Sequence, residues 1–318
     1  MKACVLHAAH GLRVEDVAVP EVGDGTALVR VRACAICGSD IHILRGEHPR
    51  PLPFTMGHEA AGEVVEVGPG VEGLKPGDRI TWWVSYGSMA EYALIRPASL
   101  SVGRIAPHVP DDQGATTQLL CAVLRGLTPM EIVPGDRILV LGVGGVGLLA
   151  LQCARLAGAE VMAADLHDNR LRAAAALGAA ACVNVARESL TDAVRGAFGQ
   201  LTGVIDAMAN DLSPAQATTA EALSLIGVRG WYLLLSLSPQ PRSFVPQVLG
   251  DRGIRIVPAH LPFEEVRPLC QRACDLVAQG RIDLVPLLTH HVGLADAPEL
   301  FRLVMEHPEE VIKATAEC

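Results

Sequence analysis

Cys37-Gly38-Ser39-Asp40-Ile41-His42 packs a thiol, a hydroxyl, a carboxylate and an imidazole into one short run. Gly57-His58-Glu59-Ala60-Ala61-Gly62 adds a second imidazole and a second carboxylate. Side chains of these types ligate metals and carry protons. They also occur as buried thiols and hydrogen-bonded core histidines, and spacing alone leaves both readings of Cys37 and His58 open.

A third run is more specific. Gly142-Val143-Gly144-Gly145-Val146-Gly147 follows a strand-like segment and opens a helix-like one. Gly142 allows a tight turn, Gly144 lets the backbone approach a pyrophosphate, and Gly147 permits close helix–sheet packing. The N–H groups of Gly145 and Val146, at the start of the helix, favour a phosphate's charge. Asp165 stands at the end of the next strand, where a carboxylate accepts hydrogen bonds from both ribose hydroxyls and repels a 2′-phosphate. That favours NAD over NADP, with Arg170 and Arg172 nearby pulling the other way. The alternative is a glycine-rich turn in an apolar α/β core.

These runs need elements to hold them. Up to about residue 110 the chain reads as short strands, at 27–33, 62–67, 79–84 and 89–96, separated by turn signals such as Gly68-Pro69-Gly70 and Pro76-Gly77-Asp78. From about residue 137 the rhythm becomes strand–helix–strand. Strands are expected at 138–141, 161–164, 182–185, 204–207, 230–235 and 254–257, and helices at 146–156 and 169–177. A further helix runs to Leu225, with Ser213-Pro214 as cap and first turn. Six strands with intervening helices describe a doubly wound parallel sheet. The tail reads as a helix over 264–279, a strand over 287–292 and a helix over 296–305.

Composition narrows the classes. The chain has 318 residues, beyond the usual size of one core, so two domains are expected. Half the residues are hydrophobic, which excludes a disordered chain. A net charge of −9 without a basic run argues against nucleic acid and anionic membranes as partners. The first residues lack a signal-peptide pattern, and nine scattered cysteines suit a reduced compartment, so a cytoplasmic location is expected.

Taken together, CGSDIH, GHEAAG, the glycine loop and the tail segment LLTHHVGLADAPELF resemble the zinc-containing medium-chain dehydrogenase/reductase superfamily of alcohol and polyol dehydrogenases, over nearly the whole chain. The resemblance implies an α/β protein: a Rossmann doubly wound parallel sheet at 116–258, plus a GroES-like β-barrel catalytic domain at 1–115 and 259–318. It implies that Cys37 and His58 bind zinc, with Glu59 a third ligand or a carboxylate just behind. Asp40 would orient His58 through its other ring nitrogen. Ser39 would take the proton of the substrate hydroxyl, and His42 would pass it toward solvent by way of the cofactor ribose. The activity implied is hydride exchange between a secondary alcohol or polyol, or the matching ketone, and NAD. Members often pair through the outer strand of the nucleotide sheet, here 230–235. Left alone its apolar residues would form an exposed edge, so a homodimer or homotetramer is expected.

Two departures from the family pattern matter. The lobe with four cysteines that binds a structural zinc is missing, because Trp82-Trp83-Val84-Ser85-Tyr86 runs straight into Gly87-Ser88-Met89. One catalytic zinc per chain and no structural zinc are expected, and Cys34 reads as a small buried residue. The second departure is Gln118, which stands where relatives place another ligand or water-binding group. Three readings follow: zinc held by Cys37, His58, Glu59 and a water that Gln118 holds; a ligand from Cys121, one turn along; or loss of the metal. The last would fit a zinc-free reductase of activated C=C bonds or quinones. A non-catalytic nucleotide-binding protein is the remaining alternative, disfavoured by the retained Ser39 and His42. Phe54, Trp82 and Trp83 could line a cleft or fill the core. Cys270 and Cys274 read as packing residues, His290-His291 as a solvated pair and Cys318 as a mobile end.

Overall fold

The computed structural model of the chain describes residues 1–83, 85–208, 215–236, 244 and 246–318. It divides into two compact units, Met1–Ala122 with Pro262–Cys318, and Val123–Leu261. The first junction falls inside the helix Asp111–Leu127, as does the boundary expected after residue 115.

The first unit is built on strand Ala27–Ala35. Its Val29, Val31 and Ala33 are buried while Arg30 and Arg32 face water, the period of two that a half-buried strand requires. It joins a seven-stranded mixed sheet. The path is Leu288–Gly293, Lys313–Glu317, Ala27–Ala35, Glu59–Val67, Arg79–Trp83 and Ser101–Arg104, with Tyr92–Ile95 also paired to Ala27–Ala35. A second sheet orders Leu12–Asp16, Lys2–Leu6 and Phe54–Thr55. Met56, Trp82, Met89 and Phe301 fill the core of this GroES-like unit, so Trp82 is a core residue and not a cleft residue.

The second unit holds six parallel strands: Arg137–Leu141, Glu160–Asp165, Ala181–Asn184, Leu201–Asp206, Ile226–Leu234 and Arg255–Pro258. In space the order is third, second, first, fourth, fifth, sixth, which is the Rossmann arrangement. Ile138, Leu139, Val140 and Leu141 are all buried, because helices cover both faces of a parallel sheet. Among the described residues, no helix is long and apolar enough to cross a membrane.

Several expectations are corrected. Residues 230–235 do not form an outer strand: Ile226–Leu234 lies between Leu201–Asp206 and Arg255–Pro258, and Trp231, Tyr232 and Leu233 are buried. The short last strand takes the edge in its place. The helix expected over 264–279 is two helices, Phe263–Val266 and Leu269–Ala278, interrupted beside Pro268, whose ring nitrogen has no hydrogen to donate. Cys318 is not a free end, since its N–H donates to the Arg32 carbonyl (3.2 Å) and its side chain packs on the core. The Ser213-Pro214 cap lies outside the described residues, although its helix, Ala215–Leu225, ends where expected. Cys34, Cys270 and Cys274 are buried as expected, and His290 and His291 alternate between a half-buried and an exposed face.

Asp206, at the end of the fourth strand, is wholly buried and accepts a hydrogen bond from the Tyr232 hydroxyl (2.8 Å). Tyr232→Phe withdraws that donor from a buried carboxylate. A loss of about 1–3 kcal/mol is expected in urea unfolding.

Candidate metal centre and nucleotide loop

The strand Ala27–Ala35 delivers the chain to Cys37, which is the N-cap of the helix Gly38–Leu44. Asp40 sits at the third position of that helix and reaches back, its Oδ2 accepting the Cys37 N–H at 3.0 Å. This is the capping-box geometry, and it fixes the first turn. The other oxygen, Oδ1, lies 3.2 Å from His58 Nδ1. One buried carboxylate therefore orients both the loop that carries Cys37 and the ring of His58. Ser39 Oγ lies 3.4 Å from His58 Nε2 on the opposite side of the imidazole.

His58 and Glu59 arrive by sheet register. Ala35 pairs with Glu59 and Cys34 with Ala60 across antiparallel strands, which brings residues 58–59 beside residue 37. Gly57 makes the entry possible. Its φ is +83°, and a Cβ there would lie 2.6 Å from Cys34 Sγ and 2.8 Å from the Met89 nitrogen. Only glycine fits that conformation and that space.

The outcome is a group of three donors, Cys37 sulfur, a His58 ring nitrogen and a Glu59 oxygen, all within 4.8 Å of one another. Among the described residues one other such group exists, His307, Glu309 and Glu310, and all three of its members are exposed. Asp40 and Glu59 are wholly buried and His58 nearly so. Both Glu59 oxygens are buried, and among the described residues the Lys313 ammonium is the one donor that reaches them. Their one charged contact is an ion pair with Lys313, whose Nζ also donates to the Ile36 carbonyl at 2.9 Å. Burial opposes a charge on His58, but Asp40 and Cys37 outweigh it and push the imidazole well above its usual pKa. Lys313 is likewise held above its ordinary value, burial being outweighed by Glu59 and Cys37. The site is thus a buried cluster in which two carboxylates are held against two cationic side chains, His58 and Lys313. Sulfur, nitrogen and a carboxylate with an oxygen left unengaged form a donor set that zinc accepts, so the residues fit the metal.

Around this group stand residues that the sequence did not single out. Lys313 is the foremost. Its signal was a lone lysine in the apolar run Val311-Ile312-Lys313-Ala314, at the start of the strand Lys313–Glu317, since a charge so placed needs a partner. His42 Nδ1 is in close contact with the Glu47 carboxylate, and its ring lies 5.2 Å from that of His48. The Tyr86 ring lies tilted against His58 (centroids 4.7 Å apart, 51° between planes) and against Phe54 (5.6 Å, 54°). Gln118 is buried in the helix Asp111–Leu127. Cys121, the other candidate there, is not brought to the donor group. Its thiol lies 4.0 Å from Ser101 Oγ in a buried pocket shared with Cys270.

In the second unit, the strand Arg137–Leu141 leads through Gly142 and Val143 to Gly144, the N-cap of the helix Gly145–Leu156. Gly142 has φ +78° and its Cβ would lie 2.9 Å from Met208 Cα, while a Cβ on Gly147 would lie 2.0 Å from the Gly142 carbonyl. A Cβ on Gly144 would meet nothing within 4 Å, so space is open over the loop. Gly145 and Val146 are half-buried in the first turn, whose N–H groups lack partners within the helix. Asp165 is buried at the end of its strand. It accepts the N–H groups of Val143 (2.8 Å), Leu166 (2.7 Å) and His167 (3.0 Å), with Arg170 Nη1 at 3.9 Å. A carboxylate offers about four acceptor positions. Three are taken, which narrows the expectation that Asp165 bonds both ribose hydroxyls to one.

Known proteins are similar to this chain over most of its length. The family model described as the alcohol dehydrogenase GroES-like domain matches residues 23–105, and that of the zinc-binding dehydrogenase matches residues 145–275. The chain is 31% identical to an alcohol dehydrogenase of Moraxella sp., over 89% of this chain and 90% of the other. It is 30% identical to an L-threonine 3-dehydrogenase of Paraburkholderia phytofirmans, over 96% of each. A solved structure from Sinorhizobium meliloti, described as a zinc-binding dehydrogenase bound to NADP, superposes with a TM-score of 0.88 at 27% identity. It covers 100% of this chain and 99% of its own.

Lys313→Met leaves the Glu59 carboxylate buried without a counter-charge. In the metal-free protein a loss of about 3–5 kcal/mol is expected in denaturant unfolding. Adding Glu59→Gln to that variant removes the orphaned charge and restores most of the loss.

Proposed function

The chain belongs to the zinc-containing medium-chain dehydrogenase/reductase superfamily, and we propose that it exchanges a hydride between a secondary alcohol or polyol, or the matching ketone, and NAD. It is an oxidoreductase acting on small molecules. The observation that carries the finer reading is the Cys37–His58–Glu59 donor group, half-buried at Cys37 and buried at the other two, with Asp40 on one side of the imidazole and Ser39 on the other.

In this reading Cys37, His58 and Glu59 hold one zinc per chain, with Gln118 holding a water. A zinc ion so held supplies Lewis acidity, of the kind that lowers the pKa of water from 15.7 to about 7. The protein's own groups do the rest. Asp40 keeps His58 Nδ1 engaged, which fixes the tautomer and aims Nε2 into the site. Ser39 receives the proton of the substrate hydroxyl. His42, half-buried and backed by Glu47, hands it on to water. Burial of Asp40 and Glu59 strengthens the interactions these carboxylates make.

The open loop over Gly144 and the first turn at Gly145, Val146 and Gly147 hold the nucleotide's phosphates, and the cofactor supplies the hydride acceptor. Asp165 favours NAD, because its charge opposes a 2′-phosphate beside it. Arg170 is the residue that would soften this preference, and a relative bound to NADP makes the ratio worth measuring. We read the protein as a cytoplasmic homodimer or homotetramer. Its nine cysteines are unpaired, and the short strand Arg255–Pro258 offers an edge for pairing with a second copy.

Cys37→Ser and His58→Ala are each expected to lower alcohol turnover by about a hundredfold or more while NADH binding, followed by fluorescence, stays unchanged. Normal turnover in either variant contradicts the reading. In the unaltered enzyme kcat/KM is higher with NAD than with NADP, and Asp165→Ser shrinks that ratio.

A further inference from the structure

The segment between the helix Gly38–Leu44 and the strand Phe54–Thr55 departs from the chain's overall charge. The protein carries −9, yet residues 42–50 hold His42, Arg45, His48 and Arg50 against the single acid Glu47. Arg45 has Glu47 at 4.0 Å. Arg50 is exposed, and among the described residues no carboxylate pairs with it. Pro49 and Pro51 bracket it and limit the backbone on both sides.

Its guanidinium has a defined place. The central carbon lies 4.6 Å from the centroid of the Tyr86 ring and 5.8 Å from that of Phe54. The Tyr86 ring in turn lies 4.7 Å from the ring of His58. Arg50, Tyr86 and His58 thus follow one another in contact, with a single tilted aromatic ring between the guanidinium and the candidate metal ligand. Packing over a ring engages the guanidinium's π-face. Its N–H groups lie along its edge and remain available as a planar fork matched to carboxylate or phosphate oxygens. Lys313 and His58 already face the buried carboxylates, so Arg50 is not needed to balance them.

We propose that Arg50 docks an anionic group of the substrate, a carboxylate or a phosphate a few bonds from the reacting carbinol. This rests on the dehydrogenase reading of the same site and deepens it: the substrate class is a hydroxy acid or an alcohol phosphate, and a neutral alcohol is the poorer substrate. Arg50 sets specificity and takes no part in proton or hydride movement.

The test uses the zinc-loaded full chain with two matched pairs, 3-hydroxybutyrate against its methyl ester and glycerol 3-phosphate against glycerol. The anionic member of one pair is expected to have the higher kcat/KM by about tenfold or more, and the pair that shows it identifies the anion. Arg50→Met lowers that ratio by about tenfold, through KM rather than kcat, and Arg50→Lys recovers part of it. The proposal is overturned if neither pair shows a preference, if Arg50→Met leaves the ratio unchanged, or if that variant raises only the KM for NAD. Turnover of neutral alcohols without an anion preference sinks this proposal alone and leaves the dehydrogenase reading standing. Should no alcohol turn over, the dehydrogenase reading fails and calorimetric titration with malonate and with inorganic phosphate decides. Binding that Arg50→Met abolishes supports an anion site, and absent or unaltered binding overturns it.

Discussion

Two carboxylates, Asp40 and Glu59, are shut away from water beside the Cys37 sulfur, and the rest of the site follows from having to balance them. Burying a charge unpaired costs several kcal/mol, more than most single contacts return. Asp40 meets this by binding the Cys37 N–H and the His58 ring. Glu59 meets it only in part, through Lys313, and its oxygens otherwise lack donors. An enclosure built this way favours a proton on His58 when no other cation is present. A metal bound there would have to displace that proton, so its affinity would depend on pH.

The scaffold achieves this with backbone devices far apart in sequence. Antiparallel register across Ala27–Ala35 and Glu59–Val67 aligns the two motif runs, the left-handed Gly57 turns the chain into the second, and the last strand carries Lys313 to Ile36. Loss of one residue of register would send Glu59 to the opposite face of the sheet. In the nucleotide unit the same economy holds. Asp165 ties down the glycine loop through Val143 from the end of the next strand, where the proposed reading places the ribose.

Much of this was legible in the sequence where a local rule governs the outcome. The glycine loop and the six strands of the second unit follow from turn chemistry and strand periodicity, while the grouping of Cys37, Asp40 and His58 came from the family resemblance. What was missed depends on long-range placement. Lys313 lies at the far end of the chain, and nothing local names Glu59 as its partner. Glu47 meets His42 only because the chain turns back just past the end of its helix, and Tyr86 reaches His58 through a loop. Cys121 was a plausible ligand by spacing, but its thiol is taken up by Ser101 and Cys270. The misassigned edge of the sheet has the same origin, since strand content was readable while spatial order depended on where a four-residue strand would add.

The central claim is that the buried donor group is a zinc site. Elemental analysis of freshly purified protein, made with zinc supplied, tests it most directly. About one zinc per chain, lost when Cys37 is replaced by Ser, is the result this account predicts. Protein that retains no zinc yet oxidises alcohols at an undiminished rate would contradict it.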